Sequence, residues 1–266
     1  MYTDRFFRMS LTLVLSLVFA TGAFAAPPQF AIEFNNANDD NMVLAQHSQS
    51  IAAIVDGITM EAWIFVTEAE NTFNNHATVV GRQDSYQTQV SDELVYKGAV
   101  WGTGENGFWG WEGNAKVTLG AWHHVATSMD GKNMYTHVDG KLDINKPDGG
   151  PIKSVVMPYT VGHIVRWTAP FEGLIDEVRL SDKARYTDRD YPIQDKEFEA
   201  DANTVILYHF NEGEGFQATD ESIWGNHGVI RKARFVASDV PLKPLSVDPK
   251  RKLSTIWGSV KKDYVR

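Results

Sequence analysis

Cysteine is absent from the chain. An exported chain of this composition therefore gains no disulfides, and no lipid can be attached through a thiol. Stability has to come from core area, hydrogen bonding or a bound ion. Long apolar runs are also scarce. Met9 to Ala20 forms one run of about a dozen residues, and no later run approaches a bilayer's length. Positive charge is the minority sign, with 25 Lys and Arg against 34 Asp and Glu and a net charge of −9. Such an acidic chain is a poor partner for nucleic acid or anionic lipid, but is compatible with neutral glycans and with cations. Long helical patterns are missing, and so are G-x-S-x-G, H-E-x-x-H and any phosphate-cradling loop.

The single apolar run follows Arg5 and Arg8 and precedes Ala23-Phe24-Ala25, a small-x-small cleavage pattern. Residues 1–25 thus read as a secretory signal peptide, and the mature chain is expected to be secreted or periplasmic, with no membrane span. Residues 26–238 read as one domain and 239–266 as a tail. In the tail, Ser254 could cap a short helix with Ile256, Trp257 and Val260 on one face.

Between these ends the chain reads as many short strands and turns. Phe30 to Phe34 alternates; Asn35 to Asn41 is Asn- and Asp-rich and reads as a loop. Met42 to Leu44 reads as a short strand, and Ile51 to Val55 as a brief helical or irregular link. Ile58 to Val66 has large groups on both faces, as in a central strand of a two-layer structure. Thr78 to Arg82 reads as a strand. Leu94 to Gly102 and Gly107 to Trp111 read as two strands joined at Asn106-Gly107. Trp122 to Met129, a turn at Asp130-Gly131, and Met134 to Val138 read as a hairpin with Trp122, His124, Ala126 and Ser128 on one face. Pro147 to Pro151 is a loop, and Tyr159 to Val165 a strand. In Phe171 to Leu180, Ile175 faces one side and Asp176, Val178 and Leu180 the other. Ser181 to Tyr191 reads as a helical turn or loop, and Thr204 to Asn211 and Val229 to Val236 as strands. The pattern predicts an all-β antiparallel sandwich or jelly roll.

Four segments carry a resemblance. They are Phe34-Asn35-Asn36 with Asp39-Asp40, Thr59-Met60-Glu61-Ala62-Trp63-Ile64, Gly120 to Gly140, and Phe171-Glu172-Gly173-Leu174-Ile175-Asp176-Glu177-Val178-Arg179. In this order they resemble the laminin-G-like, concanavalin A-like lectin/glucanase jelly roll of bacterial secreted type. Leu207 to Gly215 with Asp220, Ser222 and Gly225 to Gly228 resembles a segment that often flanks such domains. The resemblance implies a two-sheet jelly-roll sandwich with a short C-terminal extension. It also implies a structural Ca2+ ion near Asp176, with Asn35, Asp39, Asp40 and the carbonyl of Gly173 as the other donors. Calcium takes six to eight oxygens at about 2.3–2.6 Å. The other reading of Asp176 is a cap on backbone N–H groups or a partner of Arg179. Asn35-Asn36 stands where the family has Asp-Gly.

Glucanases of this fold carry carboxylates at alternate positions of one strand, about 5 Å apart for a retaining reaction. Here Leu174 occupies the position two before Asp176, and Glu197-Phe198-Glu199-Ala200-Asp201 lies in a polar stretch. No enzyme is expected. His123 and His124 are strand neighbours pointing to opposite faces, so they cannot chelate one ion. They read as framework, as do His137 and His163. The remaining candidates are tryptophans, of which the chain has eight. Trp101, Trp109 and Trp111 cluster in one hairpin, with Arg82, Glu112 and Asn114 nearby to bond sugar hydroxyls. These rings either fill the core or form a stacking platform. The function read from the sequence is non-catalytic binding of a glycan or an extracellular protein. A glucanase-type hydrolase or lyase and a structural module are the alternatives.

Overall fold

A computed structural model describes residues 29–35, 40–68, 76–103, 109–147, 150–166 and 170–243. Its strands are β1 (Phe30–Phe34), β2 (Met42–Ala45), β3 (Ile58–Val66), β4 (His76–Arg82), β5 (Tyr86–Ser91), β6 (Tyr96–Val100), β7 (Trp109–Glu112) and β8 (Trp122–Met129). They continue as β9 (Asn133–Val138), β10 (Lys141–Pro147), β11 (Tyr159–Val161), β12 (Gly173–Ser181), β13 (Thr204–Tyr208), β14 (Gln217–Ala218), β15 (Gly228–Arg231) and β16 (Arg234–Ala237). One helical turn, α1 (Gln49–Ala52), is capped by the Ser48 hydroxyl, which accepts the Ile51 N–H. The expected signal peptide and the expected tail helix lie outside the described residues.

Two antiparallel sheets result. The first runs β10-β9-β8-β3-β12-β1-β16, and β13 also pairs with β12. The second runs β14-β15-β2-β11-β4-β5-β6-β7. This is the jelly-roll sandwich expected from the strand pattern. Between the sheets lies one large apolar core, to which β3 contributes Ile58, Met60, Ala62, Ile64 and Val66. A second, smaller core of Trp63, Phe198, Leu207, Val240 and Leu242 covers the other face of the first sheet. Strand β3 therefore carries large groups on both faces because both are buried.

The hairpin β8–β9 keeps its expected faces, with Val125 and Met129 in the main core. Its turn is held by Asp130 Oδ1, which accepts the N–H groups of Lys132 and Asn133, while Gly131 takes φ +82°.

Several expectations need correction. Strand β12 has a bulge between Asp176 and Arg179, where Glu177 takes φ +50°. The extra residue resets the alternation, so Ile175, Val178 and Leu180 all reach the main core and Asp176 faces away from it. The bulge also marks a change of neighbour. Before it, β12 pairs with β1; after it, with β13. Val229 to Val236 is two strands rather than one. Lys232 turns the chain at φ +51°, so β15 joins the second sheet and β16 the first. Ser181 ends β12, and residues 182–191 form bends, the loop of the two readings offered for this stretch. Strand β5 was not anticipated, and neither was β10, which reaches Pro147.

Candidate ligand-binding site

The outer face of the second sheet brings part-exposed rings together with buried amide side chains. On β5, Tyr86 and Val90 enter the core, so Gln87, Gln89 and Ser91 point outward. The register sets Gln89 between Thr78 of β4 and Lys97 of β6, and Ser91 opposite His76. Gln87 Nε2 donates to Thr78 Oγ1 at 2.9 Å. Gly81 makes room for this side chain, since a Cβ there would stand 2.7 Å from Gln87 Cγ. Trp101 follows β6, and its N–H donates to the Ser85 carbonyl at 2.7 Å.

Trp111 of β7 ties the group together. Its ring lies 6.0 Å from His76 and 5.8 Å from Trp101, the latter at an interplanar angle of 85°. His76, Trp101 and Trp111 are all partly exposed, whereas Gln89 is 1% exposed. Among the described residues Gln89 Nε2 and His76 Nδ1 have no hydrogen-bond partner. An unmet buried amide donor costs about 1–3 kcal/mol. Burial, reinforced by Lys97 and opposed by Asp92, lowers the His76 pKa, so the ring is neutral at pH 7.

The other residues singled out in the sequence fall elsewhere. Arg82 is fully buried. It donates to the carbonyls of Ile51, Met157 and Val155 and contacts His47 Nδ1, so it fastens the frame and does not face a ligand. Glu112 pairs with Lys146 Nζ at 2.6 Å, and the Asn114 N–H donates to Asp143 Oδ2 at 2.7 Å; both contacts lead toward β10. Trp109 pairs in register with Val100. Among the described side chains, Trp101 and Trp111 are the two expected residues that meet; the Trp109 side chain lies outside them. His76, Gln87 and Gln89 were missed, although the alternation in Tyr86-Gln87-Thr88-Gln89-Val90 was the available signal.

The calcium donors do not converge. Asp176 lies opposite Trp63, while Gly173 pairs with Phe34, next to Asn35. Three strand residues, roughly 10 Å, separate the two places. Asp176 Oδ2 accepts from Ser238 Oγ and Oδ1 from its neighbour's N–H, both at 2.8 Å. Asp40 stands 3.9 Å from Lys232 Nζ, and Asp39 lies outside the described residues. Among the described residues no three acidic or histidine groups are placed to hold a metal. The described donors, Asn35, Asp40, Gly173 and Asp176, do not gather at one point, and Asp176 acts as a buried cap. Burial, with Glu177 beside it, pushes its carboxyl well above the usual range. A raised folded-state pKa gives stability at low pH that is lost as pH rises through that pKa. Asp176→Asn mimics the neutral acid, so its melting temperature should gain on the parent's between pH 5 and pH 8. The gain should be equal in calcium and in EDTA; a loss seen only in calcium would make Asp176 a ligand.

The conspicuous histidines belong to the frame. His123 Nδ1 bonds Asp139 at 2.7 Å, on the opposite face from His124. His124 lies 3.3 Å from the buried Glu61 and 3.0 Å from the Tyr191 hydroxyl. Arg179 and Tyr186 also bond Glu61, each at 2.7 Å. Above them a cleft of about 470 Å³ is lined by Arg185, Lys196, Glu199 and Asp201, whose charges pair with each other.

No curated protein sequence matches the chain. Among solved structures, a Bacteroides ovatus protein to which carbohydrate binding is ascribed aligns with TM-score 0.56 at 15% identity. The alignment covers 82% of this chain and 62% of that one, so the chain spans less than two thirds of its neighbour. A heptameric pentraxin from Limulus polyphemus aligns at TM-score 0.44, 13% identity, and 61% and 80% coverage. Domain 4 of an extracellular arabinanase from Geobacillus stearothermophilus, in complex with arabinotriose, aligns at TM-score 0.39, 16% identity, and 58% and 82% coverage. The family model of the concanavalin A-like lectin/glucanases superfamily, laminin-G type, matches residues 36–189. That stretch is more than half of the chain, and the protein belongs to this superfamily.

Proposed function

We propose that the protein is an exported, non-catalytic carbohydrate-binding module that takes a neutral glycan at Trp101, Trp111 and His76. The observation that carries this reading is the pair of part-exposed indoles meeting at 85°, on a sheet whose Gln89 Nε2 has no partner among the described residues. Indole faces take the apolar faces of sugar rings, and amides take their hydroxyls. Two perpendicular rings make a corner. They suit a single sugar unit, stacked on one indole with its edge against the other, better than a flat ribbon needing coplanar platforms. The Bacteroides neighbour supports the reading at the level of fold. Export is supported by the pattern of residues 1–25.

The absence of catalysis is supported by the same face. Of the described residues on β4 to β7, Glu112 alone is acidic, and it is paired with Lys146. A retaining glycosidase needs two carboxyls about 5 Å apart. A panel of neutral and acidic oligosaccharides tests the proposal. Binding of neutral members without release of reducing ends is expected. Binding of none, or hydrolysis of any, would overturn it.

A further inference from the structure

Seven large apolar side chains are exposed among the described residues, and four of them lie between positions 216 and 229. Phe216 and Ile223 are each 80% exposed, Trp224 52% and Val229 48%. All four belong to the hairpin β14–β15 or to its connecting loop, at one end of the second sheet. The hairpin is short. The Phe216 carbonyl accepts the Ile230 N–H at 2.8 Å and Ala218 pairs with Gly228, so about three residues, roughly 10 Å, separate Phe216 from the loop. Scattered apolar residues need no explanation, but four on one short element mark a contact surface.

The loop is held from below. Asp220 Oδ1 accepts the N–H groups of Leu207 and Ser222, and Oδ2 accepts that of Asn226 and the Ser222 hydroxyl. Asn226 Nδ2 donates to the Val205 carbonyl at 2.8 Å. Ile223 and Trp224 are thus presented by an ordered frame, which leaves little loop entropy to lose on association.

Two observations point to a second copy of the chain as the occupant. The first is area. At about 150–200 Å² for a whole side chain of this size, the four exposed fractions offer on the order of 450 Å² of apolar surface. Apolar atoms make up about 60% of an interface, so this surface implies roughly 750 Å² on each side, the size of a standard association.

The second is charge. Arg231 follows Ile230 at the open end of the hairpin, whereas Glu221 comes three residues after Ala218, at the loop end. Both are exposed. Among the described residues, ion pairs engage Lys232 and Arg234 but neither Arg231 nor Glu221. His209, bonded to Glu177, acts on Glu221 only at longer range. A two-fold axis across the hairpin sets the loop end of one copy on the open end of the other, so each Arg231 meets a Glu221. Glu214, exposed at the Arg231 end, and the net charge of −9 disfavour an anionic lipid surface in place of the second copy.

We infer that two copies of the chain associate through their β14–β15 hairpins, burying Phe216, Ile223, Trp224 and Val229 of each against the other, with Arg231 of each copy paired to Glu221 of the other. The contact lies at the opposite end of the second sheet from the strands that carry the indole corner, so both corners stay open.

Sedimentation velocity of the full-length mature protein, without glycan, tests it from about 1 μM to about 300 μM. A reversible shift from the mass of one chain to that of two is expected. Ile223→Asp should weaken the association at least about tenfold, as for loss of an interface anchor. Ile223 is 80% exposed, so this substitution leaves the core untouched. Arg231→Glu should weaken it by a similar factor, because two acids then meet at each end of the contact. Adding Glu221→Arg to Arg231→Glu reverses the pair and should restore the parent's affinity. A chain that stays monomeric throughout would overturn the inference. So would a dimer indifferent to Ile223→Asp, or a charge-reversed double variant that associates no better than Arg231→Glu alone. The readout uses no glycan, so it stands or falls separately from the binding proposal.

Discussion

Arg179→Met is expected to cost roughly 3–5 kcal/mol of folding stability, the range for breaking a buried ion pair by removing one partner. Glu61 lies fully buried on β3, and Arg179 Nε donates to its Oε1 at 2.7 Å across the bulged β12. The Arg179 guanidinium also lies 4.3 Å over the Phe198 ring. Without it, Glu61 keeps the Tyr186 hydroxyl, His124 at 3.3 Å and Arg185, itself bonded to Asp201, at 3.9 Å, too little to offset the desolvation of a carboxylate. At about 2–4 °C per kcal/mol, the melting temperature should fall by roughly 10 °C. Combining Glu61→Leu with Arg179→Met should cost less than Arg179→Met alone, because no unpaired charge remains. Denaturant titration of the three proteins checks both statements. A single-variant loss below about 1 kcal/mol would show the pair to be incidental.

The same carboxylate sets the acid limb of stability. Burial alone would raise the Glu61 pKa, but Arg179 and His124 overcome it and hold the group at about 2, against an ordinary 4.5. A depressed folded-state pKa gives stability that is complete above pH 4.5 and disappears as pH falls toward 2. The double variant should therefore show a flatter stability profile over that window.

Trp111→Ala is expected to weaken glycan binding by about 2 kcal/mol, roughly 30-fold, with little change in fold. The ring is the shared member of both contacts, with His76 on one side and Trp101 on the other. Removing it takes away one wall of the corner. Trp101→Ala should act in the same direction. Trp224→Ala, at the far edge of the sheet, should leave affinity unchanged.

The sandwich was legible because its central strands alternate without interruption. Ile58 to Val66 and Trp122 to Met129 show both their length and their faces in the letters alone. Strand β12 defeated the same reasoning. Period-two counting cannot register an extra residue, and the bulge places a glutamate, not a glycine, at φ +50°. Strand β5 was missed because its outward positions are Gln, Gln and Ser, which read as loop when nothing shows that they lie over a core. Asp176 and Arg82 show a common ambiguity of the letters. A buried capping carboxylate and a buried arginine satisfied by carbonyls carry the same letters as a metal ligand and a sugar ligand. Trp101 and Trp111 were legible as candidates, but the angle between them and the amides beside them depend on register, which only the folded sheet supplies.

The claim that function resides at the indole corner is tested most directly by titrating the protein with the best oligosaccharide from the panel while following the tryptophan indole N–H resonances. The account predicts that the Trp101 and Trp111 signals shift together with one saturating curve, and that the Trp111→Ala protein shows no shift at the same concentrations. Unmoved Trp101 and Trp111 signals alongside a saturating shift at Trp224 or Trp122 would contradict it.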